Sequence, residues 1–322
     1  MTVSIGFVGA GNIAQTHLDN LEDREDASVD AVCDVDSETA ASAAERMGAT
    51  AFSEVETMFG EFDLDAAFVC IPPFAHGEAE RTAAEHGVHL FVEKPLAIET
   101  ATARDILATI EAAGIMAAVG HNWRYSGGVE RAASLFEDAT IGYLDGHWWG
   151  GVPGGMDHWW RHVDRSGGQP IEQAVHIFDT VRHLGGDIET VYAAGGNRLV
   201  DMVDFPDVSS ATMRHENEVV SHVSSSCATD DGGNGVDIIA DRGTVTVTQR
   251  RISGTVDGDP IDETFDIDPY ARELDAFIEA VETGSADGLR STYDDAIRSL
   301  AVTEAVMRSM ESGEVVEVDD LL

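Results

Sequence analysis

The stretch V-S-I-G-F-V-G-A-G-N-I-A, residues 3–14, decides how the chain begins to fold. Its apolar first half predicts a buried strand, and the glycines after it predict a tight turn into a helix. Gly9 permits the turn, and Gly11 leaves room for a ligand to approach the backbone. The N–H groups of Asn12 and Ile13 then point out of a helix N-terminus, where phosphate groups bind.

An acidic residue strengthens the interpretation of this turn as a dinucleotide site. Asp34 directly follows the next predicted strand, residues 29–33. A carboxylate at that place accepts hydrogen bonds from the ribose hydroxyls of NAD and repels the 2′-phosphate of NADP. The helix that begins near Ser37 offers no nearby arginine, so NAD is favoured over NADP. The alternative is that Asp34 is only a turn residue in C-D-V-D-S.

The first 121 residues alternate between short apolar runs and alanine-rich helical patterns. This alternation predicts an α/β domain with a parallel, doubly wound Rossmann sheet, which we place at residues 1–121. The predicted strands are 3–8, 29–33, 66–71, 88–92 and 115–119, and the predicted helices lie near 12–22, 37–47, 75–86 and 98–113.

The character of the sequence changes after residue 121. All five tryptophans lie between Trp123 and Trp160, and strands with period-2 alternation follow residue 185, as in V-S-S-A-T-M, 208–213. That alternation indicates an antiparallel sheet with one buried face. We therefore predict a second, α+β domain over residues 122–322, built on an open, mostly antiparallel sheet.

The composition is strongly acidic. Sixty Asp and Glu against nineteen Lys and Arg give a net charge of −41, and 43% of the residues are hydrophobic, which is enough for a large core. The negative field excludes nucleic acid and anionic membranes as favoured partners. At molar salt the Debye length falls to about 3 Å, so carboxylate repulsion is screened. The composition therefore favours a salt-loaded cytoplasm, as in halophilic archaea.

Cysteine usage and the absence of targeting signals predict a cytoplasmic protein. Cys33, Cys70 and Cys227 are odd in number and far apart, so we expect reduced, mostly buried thiols. The first residues form a predicted strand rather than a signal peptide. Apolar runs fall short of the roughly 20 residues that a membrane span needs.

Three further motifs carry a family resemblance. They are I-P-P-F-A-H (71–76), V-E-K-P-L (92–96) and S-G-G-Q-P-I-E-Q-A-V-H-I-F-D (166–179). Together with G-A-G-N-I-A (9–14), they resemble the family of glucose–fructose oxidoreductase, inositol dehydrogenase and rhizopine-catabolism proteins (Gfo/Idh/MocA). The resemblance spans nearly the whole chain.

The resemblance implies which residues surround the nicotinamide. In such proteins the cofactor lies in a crevice at the ends of the parallel strands. The matching positions are Glu93 and Lys94 in the crevice, and Pro72 and His76 beside the nicotinamide. Asn122 also lies where family members contact the cofactor, and Arg124 lies where they line the substrate cleft.

The resemblance also implies the catalytic groups. Glu172 and His176 are four residues apart, so one helix would carry both on the same face. His176 suits a general base, Glu172 can orient its ring, and Lys94 can stabilise the developing alkoxide. A desolvated Lys94 is an alternative proton acceptor. Most members have Asp at position 172 and glycine at position 174, so this chain departs from the family pattern at Glu172 and Ala174.

Two neighbouring features have open interpretations. Trp160 and Arg161 precede the catalytic segment. In one interpretation, Trp160 forms a wall for a sugar ring and Arg161 is a polar contact. In the other, Trp160 is a core residue. His158 and His162 have the i,i+4 spacing of zinc ligands. Because neither an H-E-x-x-H motif nor paired cysteines accompany them, we predict no metal site.

The predicted function is NAD-dependent transfer of hydride between nicotinamide and a secondary hydroxyl of a sugar, inositol or related polyol. Two alternatives stay open: an NAD-retaining glycosidase or lyase that oxidises its substrate transiently, and a catalytically inactive sensor of NAD and sugar. The family suggests a homo-oligomer, a dimer or a tetramer, and a small-molecule substrate as the partner.

Overall fold

The computed structural model of the chain describes residues 2–322, which form two compact units. The first unit runs to Ala97 and adds Thr102–Asn122 and Tyr270–Ala296. The second unit comprises Ile98–Ala101, Trp123–Pro269 and Ile297–Leu322. The domain limits 1–121 and 122–322 stay a prediction from the sequence. Among the described residues, no helix combines the length and apolar character that crossing a bilayer requires.

The first unit contains a six-stranded, wholly parallel sheet in the order β3-β2-β1-β4-β5-β6, as predicted for a Rossmann domain. Its strands are β1 Val3–Val8, β2 Ala27–Cys33, β3 Thr50–Phe52, β4 Ala66–Val69, β5 His89–Val92 and β6 Ala117–Val119.

The second unit contains a nine-stranded sheet in the order β14-β13-β12-β11-β7-β10-β9-β8-β15. Every neighbouring pair is antiparallel except β7 with β10, which confirms the mostly antiparallel prediction. Its strands are β7 Ile141–Trp149, β8 Ile188–Gly196, β9 Val208–His215, β10 Val220–Ser226, β11 Asn234–Ala240, β12 Gly243–Val247, β13 Arg251–Val256, β14 Asp259–Thr264 and β15 Val316–Glu317.

Eleven α-helices occur within residues 2–322. They are α1 Asn12–Leu21, α2 Ser37–Met47, α3 Val55–Glu61, α4 Glu78–Glu85, α5 Thr100–Ala113, α6 Gly127–Phe136, α7 Val163–Ser166, α8 Gln169–Glu172, α9 Val175–Gly185, α10 Pro269–Thr283 and α11 Tyr293–Ser312.

Helix α4 begins later than the sequence predicts. The expected helix near 75–86 is interrupted because Gly77 has φ of +129°, outside the helical region, and α4 begins at Glu78. A short 3₁₀ turn, Pro73–Ala75, precedes it. His76 therefore lies in a turn after β4 rather than on the helix.

Stacked aromatic rings form the core of the first unit. Phe7, Phe68 and Phe91 project from the adjacent strands β1, β4 and β5, with centroid distances of 5.0 and 4.7 Å between neighbours. Phe277 on α10 packs edge-on against Phe68 and Phe91, at 5.6 Å from each. These contacts explain why residues 270–296 belong to the first unit although they come late in the sequence.

Alternating burial in the second unit follows the predicted period of 2. In β9, Ser209, Ala211 and Met213 are buried while the residues between them are exposed. Helix α9 packs on the same sheet across Gly146 of β7. A Cβ atom at Gly146 would lie 2.5 Å from Cγ2 of Ile177. The absence of a side chain at position 146 therefore sets how closely α9 approaches the sheet.

A buried ion pair fixes α9 in the second unit. Asp179 accepts hydrogen bonds from Nε and Nη2 of Arg124 at 2.9 and 2.6 Å, and from the hydroxyl of Ser299 at 2.7 Å. Asp179 and Arg124 are both almost completely buried. A charge in such a place is stabilised only while its partner is present.

We predict that Asp179→Asn lowers the free energy of unfolding by about 3–5 kcal/mol, because it removes the buried negative charge that accepts two hydrogen bonds from the buried Arg124 guanidinium. The matched control is Asp262→Asn, which removes the same negative charge from an exposed pair with Arg251 and should change stability by at most about 1 kcal/mol. Denaturant unfolding at one salt concentration compares the two variants. Equal losses would contradict the assignment.

Candidate functional site

The glycine turn after β1 has the geometry that its sequence predicts. Gly9 has φ of +88°, and a Cβ atom there would lie 2.3 Å from the carbonyl oxygen of Cys70. Any side chain at position 9 would therefore clash with the backbone directly after β4. A Cβ atom at Gly11, in contrast, would meet nothing within 4 Å, so the space in front of this residue is open.

Asp34 is tied to the glycine turn. Its Oδ2 accepts a hydrogen bond from the N–H of Ala10 at 2.8 Å, and its Oδ1 accepts one from the N–H of Asp36 at 2.9 Å. Each oxygen keeps a second lone pair for another donor. The two bonds therefore fix the carboxylate beside the turn while leaving it able to accept from a ligand.

These features fit a bound dinucleotide. Helix α1 begins at Asn12, and within residues 2–322 no side chain caps its N-terminus. Its first N–H groups and the positive end of the helix dipole favour a phosphate. Gly11 provides space, and Asp34 supplies an acceptor of the kind that ribose hydroxyls need. Asn12 and Ile13 are the residues whose amides would hold the pyrophosphate.

Lys94 directly follows β5, and its neighbour Glu93 is anchored in the interior. Nε2 of the fully buried His17, on α1, lies 2.7 Å from Oε1 of Glu93. Oε2 of Glu93 accepts a hydrogen bond from the backbone N–H of Lys94 at 3.2 Å. The Glu93 carboxylate therefore connects α1 to the backbone of the half-buried Lys94.

Glu273 on α10 joins this group. One of its carboxylate oxygens lies within 4.8 Å of a ring nitrogen of His17 and of a carboxylate oxygen of Glu93. Burial, and then the charges of Glu93 and Glu273, raise the pKa of the Cys70 thiol well above its usual value. Burial also raises the pKa of Cys33 and Cys227 to about 11, so all three cysteines are free, buried and protonated at neutral pH.

Pro72 and His76 lie on the turn between β4 and α4. The ring nitrogen Nδ1 of His76 is hydrogen-bonded to Oε1 of Glu80, and both side chains are fully buried. Burial alone would raise the pKa of the Glu80 carboxyl, but His76 and the N–H groups of Gly77 and Glu80 hold it below its usual range. Asn122 is also buried, and its Oδ1 has no hydrogen-bond partner in residues 2–322.

His176 lies on α9 of the second unit, against a tryptophan. The rings of Trp148 and His176 stack with a centroid distance of 5.5 Å and an interplanar angle of 26°. Nε1 of Trp148 donates to Oε1 of Gln173 at 3.3 Å. Trp148 comes from β7, so strand and helix together fix the plane of the imidazole.

Glu172 and His176 do not lie on one continuous helix, which corrects the sequence prediction. Helix α8 ends at Glu172 and α9 begins at Val175, because Ala174 has ψ of −8° and the backbone departs from helical geometry. The carboxylate of Glu172 accepts a hydrogen bond from Nε1 of Trp160.

Trp160 and Arg161 are both buried. Trp160 is 1% exposed and packs in a small cluster with Val203, Phe205 and Cys227. Arg161 donates from Nε to the carbonyl oxygen of Gly155 at 2.8 Å, and its buried Nη1 has no hydrogen-bond partner within the described chain.

His158 and His162 have separate surroundings. Nδ1 of His158 accepts a hydrogen bond from the backbone N–H of Trp160 at 3.2 Å. His162 is exposed, and its Nδ1 lies 3.4 Å from Oδ2 of Asp204.

Within each unit, the structure therefore brings some predicted residues together. It joins the Gly9–Gly11 turn to Asp34, and it joins Glu93 to Lys94. In the second unit it joins Glu172 to Trp160, whereas Arg124 is held by Asp179.

Sequence reasoning missed the supporting residues His17, Glu80 and Trp148. His17 and Glu80 could have been noticed as polar residues on the inner faces of predicted helices. Trp148 gave no comparable signal, because strand β7 was not predicted.

Two family profiles match the chain. One is described as an oxidoreductase family with an NAD-binding Rossmann fold and matches residues 3–121. The other is described as a GFO/IDH/MocA C-terminal domain and matches residues 129–246. Together they cover well over half of the sequence.

Three curated relatives illustrate the similarity. D-xylose 1-dehydrogenase (NADP(+)) 2 of Haloferax volcanii is 24% identical, over 98% of this chain and 99% of its own. Inositol 2-dehydrogenase of Rhizobium meliloti is 26% identical, over 96% and 97%. The 2,7-anhydro-N-acetylneuraminate hydratase of Mediterraneibacter gnavus is 28% identical, over 61% of this chain and 53% of its own.

Solved structures share the fold at low sequence identity. Levoglucosan dehydrogenase in complex with NADH and levoglucosan has a TM-score of 0.89 at 18% identity, covering 99% of this chain and 100% of its own. An oxidoreductase from Agrobacterium radiobacter in complex with NAD⁺, L-tartaric acid and magnesium has a TM-score of 0.90 at 19% identity, covering 100% of both chains.

Proposed function

The chain belongs to the Gfo/Idh/MocA family of oxidoreductases, and from that premise we propose that it is an NAD-dependent dehydrogenase. Its substrate class is a secondary hydroxyl of a sugar, an inositol or a related polyol, or the corresponding ketone in the reverse direction. The relatives named as xylose and inositol dehydrogenases support this class. The observation that carries the proposal is the anchored Glu93–Lys94 pair at the end of β5.

The proposed chemistry assigns a separate task to each group. NAD, when bound, accepts the hydride that leaves the carbinol carbon. His176 accepts the hydroxyl proton, because histidine is the residue type whose unperturbed pKa lies nearest neutral pH and because Trp148 fixes the ring plane. The Lys94 ammonium stabilises the negative charge that develops on the oxygen. Glu172 is assigned the orientation of the His176 ring, and its carboxylate also accepts a hydrogen bond from Nε1 of Trp160.

The proposal also includes the other residues predicted to contact the cofactor or the substrate. Pro72, His76 and Asn122 contact the nicotinamide half of the cofactor, and Arg124 and Arg161 act on the substrate side. The observation that supports Arg161 is its buried Nη1, which has no hydrogen-bond partner in residues 2–322 and can donate to a ligand oxygen. We also propose a cytoplasmic homo-oligomer, a dimer or tetramer, which light scattering at high salt would measure.

The direct test is a screen of sugars and polyols with NAD or NADP in molar KCl, monitored by absorbance of the reduced cofactor. We expect at least one polyol to reduce NAD in proportion to the product formed. The proposal fails if no compound of this class is oxidised and a calorimetric titration shows no binding of NADH.

A second candidate is a lyase or hydratase that keeps its NAD and recycles it. The similarity to two proteins named 2,7-anhydro-N-acetylneuraminate hydratase favours this alternative. In that case, product would form with only catalytic amounts of NAD and without accumulation of NADH. The same screen distinguishes the two functions when product is measured by chromatography alongside absorbance.

We predict that NAD is preferred over NADP by at least roughly tenfold in kcat/KM, because a 2′-phosphate would meet the fixed Asp34 carboxylate. Asp34→Asn should narrow this preference. The control is Asp63→Asn, which removes an exposed charge elsewhere in the first unit and should leave the ratio unchanged. Equal efficiency of the two cofactors with the wild-type enzyme would remove Asp34 from this role.

We predict that Lys94→Ala and Lys94→Arg each lower kcat by about two to four orders of magnitude while NADH still binds. A guanidinium is larger and planar, and unlike an ammonium it does not lose its proton. Arg104→Lys, an exchange at an exposed position of α5, is the control and should retain full activity. Steady-state rates and NADH titrations decide the outcome. Near wild-type turnover of Lys94→Arg would leave the catalytic role to His176.

We propose that the protein functions in a salt-loaded cytoplasm, as its net charge of −41 and the Haloferax volcanii relative indicate. Raising KCl from low to molar concentration should therefore increase Tm by about 5–10 °C, because screening weakens repulsion among carboxylates in the folded state. Thermal unfolding across a KCl series measures the change. A Tm that is constant or falls with salt would exclude the halophilic interpretation.

A further inference from the structure

Glu80 makes two different hydrogen bonds from one buried carboxylate. Its Oε2 accepts from the backbone N–H of Gly77 at 2.7 Å, and its Oε1 is bonded to Nδ1 of His76. Glu80 is 0% exposed, and a carboxylate so deeply buried is costly unless its oxygens are satisfied. Both oxygens are therefore committed within a single turn of the chain.

The bond to Gly77 alone has an ordinary structural explanation. Gly77 is the N-cap of α4 and Glu80 is its third residue, so the bond is half of a capping box. Glutamine serves this purpose as well as glutamate, because one acceptor oxygen is sufficient. The capping role thus does not account for the second bond, to His76.

The second bond determines the chemistry of the histidine ring. An ionised carboxylate only accepts, so Nδ1 of His76 must carry the hydrogen. In the neutral ring this leaves Nε2 as an acceptor. Nε2 is buried and has no hydrogen-bond partner among residues 2–322. An unsatisfied buried acceptor is unfavourable by itself and gains stability when a donor arrives.

We propose that Glu80 is a positioning residue for cofactor binding: it holds His76 in the Nδ1–H tautomer, so that Nε2 accepts a hydrogen bond from the nicotinamide nucleoside. The donor is either the carboxamide N–H or a ribose hydroxyl, which present the same chemistry to the ring. This inference depends on the proposed function, since it requires that the cofactor binds with its nicotinamide beside the β4–α4 turn.

Glu80→Gln separates the two roles of the carboxylate. The glutamine oxygen can keep the bond to the Gly77 N–H, but its NH₂ group then faces Nδ1 of His76 and requires that nitrogen to accept. The ring would change tautomer, and Nε2 would carry the hydrogen. Glu78→Gln, an exposed change on the same turn of α4, is the matched control.

The expected result is a Kd for NADH that rises roughly five- to tenfold in Glu80→Gln and stays unchanged in Glu78→Gln, by fluorescence titration. In a His76→Ala background, Glu80→Gln should change Kd by less than about twofold, because the carboxylate acts through the ring. An effect of the same size in both backgrounds would make Glu80 a structural residue only and overturn the proposal.

Two further measurements identify which donor binds Nε2 and test the tautomer even if the Glu80→Gln variant does not fold. The 3-acetylpyridine analogue of NADH lacks the amide N–H, so the Glu80→Gln effect disappears with it if the donor is the carboxamide and persists if the donor is the ribose. Nitrogen-15 NMR of the wild-type protein, assigned by comparison with His76→Ala, should show a protonated Nδ1 and an unprotonated Nε2. The opposite tautomer would overturn the proposal without any Glu80 variant.

Failure of the proposed function has a different signature. If wild-type protein does not bind NADH, the cofactor assignment fails and the tautomer measurement still reports on the His76–Glu80 pair. If wild-type protein binds NADH and Glu80→Gln binds it equally well, the cofactor assignment holds and this inference fails.

Discussion

The buried hydrogen bond between His17 and Glu93 connects the two parts of the first unit to which we assign function. His17 belongs to α1, the helix whose N-terminus faces the open space at Gly11, and Glu93 ends β5 immediately before Lys94. Because both side chains are almost completely buried, loss of either partner would leave a polar group unsatisfied in the interior. The N-terminal helix α1 and the backbone of Lys94 are therefore held in one fixed relation by a contact in the interior of the first unit.

Much of the fold could be predicted because the relevant signals are local. The apolar run before Gly9 and the alternation of strands with helices predict a parallel sheet, and all five strands predicted from apolar runs are present. The alternation in 208–213 likewise predicts which side chains of β9 are buried. These patterns are readable since each strand of a sheet must bury one or both faces.

Features that depend on long-range packing or on a few residues could not be predicted. Strand β3 has three residues with little burial, so it lacks an apolar run, and α3 beside it is short. The break after Glu172 depends on the backbone at Ala174, whose identity favours a helix. Phe277 joins the first unit through ring contacts with Phe68 and Phe91, which are distant in sequence, so no local pattern records them. Trp148, the ring partner of His176, was missed for the same reason.

Lys94 is the only lysine among the nineteen Lys and Arg residues of this acidic chain, and the surface ion pairs show why the other cations are arginine. Arg251 binds both oxygens of Asp262 at 2.8 Å, and Arg131 binds both oxygens of Glu263 at 2.8 and 3.1 Å. This two-pronged geometry requires a planar guanidinium, which an ammonium cannot reproduce. Surface pairing therefore explains why arginine is used where a cation meets surplus carboxylates. It does not explain Lys94, which is half-buried at a strand end where the adjacent carboxylate already accepts from His17 and the backbone, so the choice of lysine there must have a different physical cause.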